Sequence, residues 1–375
     1  MSVFYLMRKD NPVCEINVRA VGKNKVSVEL ARVIDEKRMP LAMQIEPDIA
    51  SYLVRRLAPI MYGKLGFVVE HNGEPLAASL ESIIDYTGGF SLIDDFWLTR
   101  KDGSLITWDG YNLFSNEIDE KVASISFTGD GTYDAPGFIR SPEFTTDGNV
   151  DKAWRKIDGE TYLYKAGLPW EGPFGTEQFS EFYAAQIAER LNLDYVDYSL
   201  EMWMGRLCSV CKLFTSKNLS YIAAQNVYLD VDHYIRSLDS GSKLYQQIAD
   251  IILFDSLAIN TRHLGNFGFI QDNDTLDIIG VSPIFDNGMA LFGNVPDKNL
   301  TNPGCKSLYY ILSNVKFAIT QPDEIKALLT ERQRNLAGEM AGFRFKRHSE
   351  YNLNDGRLEM LESIIHSRAE FLSKP

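Results

Sequence analysis

An excess of positive charge is missing from this chain. Of its 375 residues, 38 are Lys or Arg and 51 are Asp or Glu, a formal net charge of −13. The basic footprint that holds a polyanionic backbone is absent at the whole-chain level, so direct nucleic-acid binding is not expected. A phosphate ligand held by a few local cations and a metal stays compatible with this balance. Cysteine is scarce: Cys14, Cys208, Cys211 and Cys305. Cys208 and Cys211 form a single CSVC with no second CxxC and no matched His pair, so the ligand set of a structural zinc is incomplete. Their setting, GRLCSVCKLFTS, reads as a strand with buried or half-buried thiols, which suits a reducing cytoplasm. Long apolar runs are lacking too. No window of about 18 apolar residues exists, and MSVFYLMRKDNPVCEI has no basic region followed by an apolar one. No membrane span or standard secretory signal is expected, and the expected location is cytoplasmic.

What is present is an ordinary globular composition, 45% hydrophobic and 24% charged, which leaves room for a sizeable core. The length fits two domains, or one with an elaborated front end. Three stretches differ in character: 1–125, 126–230 and 231–375. In the first, VSVELARVI and LGFVVEHNGEPLAA read as strands, the second closed by an Asn-Gly turn. EPDIASYLVRRLAPI reads as a helix with Pro47 at an early helical position. Trp97, Trp108 and Tyr111 are expected to pack this region's own core. Residues 126–150 gather Gly, Asp, Thr, Ser and Pro and read as a loop or linker. ETYLYKAG alternates as a strand ending on Lys165. GTEQFSEFYAAQIAERLNL then carries Phe179, Tyr183, Ile187 and Leu191 at helical spacing. YVDYSLEMWM and RLCSVCKLFT read as paired strands, and GSKLYQQIADIILFDSLAI as the strongest helix. DIIGVSPIFDNG reads as a buried strand ending at Asp286, and 305–375 as mostly helix.

Phosphoryl transfer from ATP asks for a particular set of groups. A lysine holds the phosphates, a helix carboxylate fixes it, two oxygen ligands hold Mg²⁺, an acid orients the attacking hydroxyl and a backbone-rich turn covers the phosphates. FTTDGNV is a glycine-containing turn before a strand; Lys165, Glu181, Asn266 and Asp286 follow in that order. Each is commonplace alone: a strand-end Lys is usually solvated, a helix Glu usually on the surface, His263 more often structural than a base. Their joint order is that of a protein-kinase-like fold.

The segment NTRHLGNFGF, with PIFDNG twenty residues on, resembles the HipA-like serine/threonine kinases of bacteria, whose catalytic segment runs approximately N-x-D-R-H-x-x-N-F-G. SPEFTTDGNVDKAWRKIDGETYLYKAG, SEFYAAQIAERLNL and SPIFDNGMALF are similar to that family's nucleotide loop, lysine strand, following helix and metal strand. The resemblance spans roughly 140–370 and is specific at 260–290. It implies an α+β, two-lobed kinase-like fold with an additional N-terminal α+β region of unknown role at 1–125. The smaller lobe, 126–230, would bind nucleotide, and the helical lobe, 231–375, would carry the catalytic and metal loops, with Lys165, Asn266 and Asp286 converging on one site. By the same resemblance, Thr145, Thr146, Asp147 and Gly148 cover the phosphates of ATP. Lys165 binds them, Glu181 is the acid of the next helix, and Asn266 and Asp286 hold Mg²⁺. His263 is the loop histidine, read as scaffold. Ser141 lies where such proteins carry a self-phosphorylated serine, and also reads as a plain Ser-Pro turn.

One departure stands out. Counting back five residues from Asn266 without gaps places Thr261 at the catalytic Asp position. If one residue is deleted instead, Asn260 is the family's Asn and the acid is missing. Neither residue is a base at neutral pH. The resemblance thus implies a slow kinase acting on protein Ser or Thr, or on itself, with an antitoxin-like partner in toxin–antitoxin members. The alternatives are a nucleotide-binding pseudokinase and a regulatory interaction module.

Overall fold

The computed structural model describes residues 2–20, 26–103, 106–148, 150–167, 176–227, 231–293, 295 and 322–374. Asn149 of the glycine turn, Cys305 and the 305–321 part of the helical expectation lie outside them. The fold is α+β, and the chain divides into two compact units interleaved in sequence. The first comprises Met1–Leu163, Thr215–Ile222 and Gln271–Asp277; the second comprises Tyr164–Phe214, Ala223–Ile270 and Ile278–Pro375.

In the first unit, β1 (Ser2–Arg8), β2 (Asn11–Ala20), β3 (Val26–Val33) and β4 (Phe96–Arg100) form an antiparallel sheet ordered β3-β2-β1-β4. The side-chain period of two turns Phe4 and Leu6 of β1, and Cys14, Ile16 and Val18 of β2, into one core. Helix α1 (Ile49–Tyr62) adds Leu53, Leu57 and Ile60 to it. Pro47 lies outside this helix: Asp48 is the N-cap, accepting from Ser51 N at 3.0 Å. LGFVVEHNGEPLAA is only partly extended. Leu65–Val68 is a helical turn, and short strands Val69–His71 and Glu74–Pro75 flank Asn72 and Gly73, both at positive φ. Residues 126–150 are not a free linker. Ile139 N donates to Tyr86 O at 2.7 Å, and Phe144 is buried in the core. Trp97 and Trp108 are buried as expected, while Tyr111 is half-buried.

Segments distant in sequence complete this unit. Buried Arg8 continues the inward row of β1 and binds Asp95 at 3.0 Å and Gln271 Oε1 at 3.0 Å. Ser220 Oγ donates to Asn273 Oδ1 at 2.7 Å, and Tyr221 N to Ile93 O at 2.7 Å.

The boundary between units falls inside β5 (Glu160–Ala166). In the second unit, α2 (Glu177–Arg190) follows. The antiparallel pair β6 (Ser199–Trp203) and β7 (Arg206–Lys212) comes next, with β7 beside β5. Helix α3 (Lys243–Ala258) starts at the Ser242 cap and is buried on every side from Ile251 onward: Ile248, Ile251, Ile252, Leu253, Phe254 and Leu257 all lie in the core. Tyr183 and Ile187 of α2 join it, with Leu358, Leu361 and Ile365 of the C-terminal helix α4 (Asp355–Ser373). Strand β8 (Ile278–Val281) is shorter than predicted. Pro283 cannot donate to a ladder; past it only Ile284 pairs, with Tyr195, and Asp286 sits beyond in a left-handed turn at φ 54°. No described helix is long and apolar enough to cross a membrane.

Candidate phosphate- and metal-binding site

The alternation of β5 buries Tyr164 and Ala166 and leaves Lys165 between them, half-buried and facing the other way. Helix α2 presents Glu181 on a stripe with Ala184, Ala185 and Ala188, small enough to bring the helix backbone close, and the carboxylate is 1% exposed. Lys165 Nζ donates to Glu181 Oε1 at 2.6 Å and also pairs with Asp286 Oδ1. Asn266 Nδ2 donates to Asp286 Oδ2 at 2.5 Å. Four residues named from the sequence, drawn from a strand, a helix, a loop and a turn, thus meet within the second unit.

The surroundings fix each group. Asn287 N donates to Glu181 Oε2 at 2.7 Å, so both oxygens of that carboxylate are held. Asp286 N donates to the hydroxyl of buried Tyr198 at 3.0 Å. The Asp286 side chain keeps 37% exposure, the most open of the three charged groups. Burial works against the Lys165 charge, but the Asp286 and Glu181 carboxylates outweigh it and hold the ammonium well above its ordinary value. Burial pushes Glu181 up, and Lys165 opposes that push. Burial is the larger effect, so Glu181 stays above its ordinary value even with Lys165 on one oxygen and a backbone N–H on the other; removing the cation adds to that upward push.

Beneath this set lies a buried pair that the sequence reading missed. Asp255, in the last turn of α3, binds Arg262 Nε at 2.9 Å and Nη2 at 2.8 Å, both side chains being 1% exposed. Asn260 Nδ2 also donates to Asp255, at 2.9 Å. The chain turns back at Ile259, the left-handed C-cap of α3 at φ 54°, and this brings Arg262 onto Asp255. Asp255 in the apolar run IILFDSLAI was the available signal: a charge in a fully buried stretch of helix needs a partner.

The remaining sequence candidates fall as follows. Asn260 is buried and tied to Asp255, while Thr261 is half-buried. His263 is exposed, and its Nδ1 accepts from Gly265 N at 3.0 Å, a local turn contact. Thr145, Thr146, Asp147 and Gly148 belong to the first unit. Thr145 Oγ1 donates to Phe90 O at 2.9 Å, and Thr146 Oγ1 donates to Pro142 O at 2.7 Å while accepting from Trp154 Nε1 at 2.9 Å. Gly148 takes φ 113°, and its N–H donates to Asp147 Oδ1 at 2.7 Å. Ser141 is buried and donates to Glu143 Oε2 at 2.5 Å.

The donor set suits a hard cation. Asn266 and Asp286 offer an amide and a carboxylate oxygen, which Mg²⁺ accepts when phosphates and water complete its shell. Among the described residues no group of three or more His, Cys, Asp or Glu is placed to hold a metal by itself. A two-ligand site of this kind would take its ion together with a phosphate ligand.

No family model matches this chain. Among curated proteins no match is found either. Among solved structures, the chain is similar to the Helicobacter pylori proinflammatory kinase CtkA, at TM-score 0.43 and 17% identity over 61% of this chain and 95% of that one. It is also similar to a chain of the Shewanella oneidensis MR-1 toxin–antitoxin complex of HipA, HipB and operator DNA. There the TM-score is 0.46 and the identity 12%, over 98% of this chain and 96% of that one. Neither likeness transfers an activity, and the functional reading rests on the side chains described above.

Proposed function

We propose that the second unit binds ATP with Mg²⁺ and transfers the terminal phosphoryl group, slowly, to a Ser or Thr hydroxyl of a protein or of this chain itself. One observation carries this reading. A lysine fixed by a buried helix carboxylate reaches a second, more open carboxylate whose other oxygen is held by an asparagine. Such a cluster is a costly way to stabilise a core, where apolar side chains of similar volume do as well or better. Asp286 also occupies a left-handed backbone, the kind of local strain that gathers at functional positions.

The chemistry follows from the groups. Lys165 would hold phosphate oxygens while Glu181 keeps it aimed. Asn266 and Asp286 would hold the metal. Bound Mg²⁺ supplies charge neutralisation at the phosphates. No carboxylate lies in 260–266, and Asp255 has its oxygens on Arg262 and Asn260, so it cannot serve as the missing acid. Transfer without a positioned base should be slower by about 10²–10⁴. The same observation favours a second reading, a pseudokinase that binds ATP as a switch. The phosphate-covering role of Thr145–Gly148, the three-part functional division at 125 and 230 and an antitoxin-like partner belong to the same proposal. The expectation that the chain avoids nucleic acid draws no support from the Shewanella assembly, which contains operator DNA.

The test is a thermal shift with ATP, with and without Mg²⁺, followed by transfer of labelled γ-phosphate to the protein and to cell extract. A shift that needs Mg²⁺ is expected, with weak labelling for the kinase and none for the pseudokinase. No shift at millimolar ATP and Mg²⁺ overturns both.

A further inference from the structure

We infer that Arg262 is the positioning residue that sets the spacing between Asn266 and Asp286, and that Asp255 serves to orient it. This rests on the nucleotide reading above and deepens it. The guanidinium joins three pieces of chain. Its Nε and Nη2 lie on the Asp255 carboxylate at the end of α3. Its Nη1 donates to Phe285 O at 2.6 Å and to Asn266 O at 3.2 Å. Its Nη2 also donates to Asn287 Oδ1 at 2.8 Å. Arg262 thereby grips the backbone of Asn266 itself and both neighbours of Asp286, while touching neither metal-facing side chain.

The consequence is geometric. Asn266 and Asp286 are twenty residues apart, on a loop and a turn; their side chains meet directly, and Arg262 ties together the backbone that carries them. Asp286 stands in a left-handed conformation that must be held from both sides. Phe285 O and Asn287 Oδ1 are those two sides. A planar fork can bond both of them and Asn266 O at once. A lysine ammonium offers the same charge from a single point and cannot. Asp255 fixes the plane of the fork, as an outer carboxylate fixes a metal-binding histidine. Asn260, packed between Asp255 and Asn287, closes the ring with bonds of 2.9 and 3.4 Å.

The test titrates Mg²⁺ at fixed saturating ATP and reads the midpoint of the thermal shift in the full-length protein. Arg262→Lys keeps the charge opposite Asp255 and removes the fork; Asn287→Ala removes one anchor and leaves the buried pair intact. Both should fold and still shift in excess Mg²⁺. The Mg²⁺ midpoint should rise roughly tenfold or more for Arg262→Lys, the usual effect of losing an outer-shell partner, and by less for Asn287→Ala. A purely structural role would lower the melting temperature without ligand and leave the midpoint alone. If Arg262→Lys does not fold, Asn287→Ala decides. A normal wild-type shift with unchanged variant midpoints overturns this inference alone. A wild type with no Mg²⁺-dependent shift overturns the nucleotide reading, and this inference with it.

Discussion

Replacing Lys165 with Met should produce a protein whose stability falls more steeply with rising pH than the parent's does. The substitution fills the same space and removes the cation from Glu181 Oε1, leaving a carboxylate 1% exposed with a single N–H donor from Asn287. An unpaired buried charge costs about 3–5 kcal/mol. Protonation limits that cost: relative to the ordinary carboxyl value of 4.5, neutralising Glu181 at pH 7 requires about 1.36 × 2.5, or roughly 3.4 kcal/mol. The loss should therefore be about 3 kcal/mol at pH 7 and about 0.7 kcal/mol at pH 5. The sign follows from the raised folded-state value. The folded form holds the proton more tightly than the unfolded, so the variant is least impaired below the unfolded value and loses stability as pH rises towards the folded one. Asp286 also loses its cation, but at 37% exposure solvent screens most of that effect. Urea unfolding at pH 5, 6, 7 and 8 measures the slope, and Lys165→Met/Glu181→Gln should recover most of the loss at pH 7. A loss that is independent of pH, or below about 1 kcal/mol at pH 7, refutes the buried charged pair.

Asp286→Ala should abolish the Mg²⁺-dependent part of ATP stabilisation, whereas Lys165→Ala should weaken nucleotide binding less; thermal shift measures both, and an unchanged Asp286→Ala refutes the metal assignment. Thr261→Asp should raise phosphotransfer if the 260–266 loop has the ungapped length, and inserting Asp between Thr261 and Arg262 should do so if a residue is missing. Label transfer distinguishes the two, and a parent turning over at about 1 s⁻¹ or faster contradicts both. Burial pushes the thiols of Cys14 and Cys211 up to about 12, so about 10⁻⁴ of each is thiolate at pH 8. A thiol–disulfide exchange reagent followed by peptide mapping should label them only on unfolding. Labelling of native Cys211 at the rate of a free cysteine would contradict that environment.

Local pattern made some of this architecture legible and distance hid the rest. The alternation of ETYLYKAG placed Lys165 on a strand, and the apolar run after Ser242 placed α3, because these signals come from neighbouring residues. Asp286 reads as a strand end in the sequence and lies in a turn, because the hydrophobic run continues through Pro283 while the hydrogen-bond ladder does not. The Asp255–Arg262 pair depends on a β-branched residue, Ile259, taking a left-handed cap, which its intrinsic preference opposes. Pro47 lies before its helix rather than in the first turn, because Asp48, not proline, supplies the cap. The assignment of 215–222 and 271–277 to the first unit leaves no mark in local sequence at all.

That last arrangement bears on how the protein is made. Arg8 and Gln271 are 263 residues apart, so the first unit cannot close when its own long segment leaves the ribosome. It must wait for residue 277, another 114 residues on from Leu163, which at about 5–20 residues per second is roughly 6–23 seconds of further synthesis. During that interval Arg8 lacks Gln271 and Asn273, and the nascent segment is open to chaperones, proteases or a binding partner. A cut after residue 163 would leave the second unit whole and split the first, whose 215–222 and 271–277 segments would stay on the other piece.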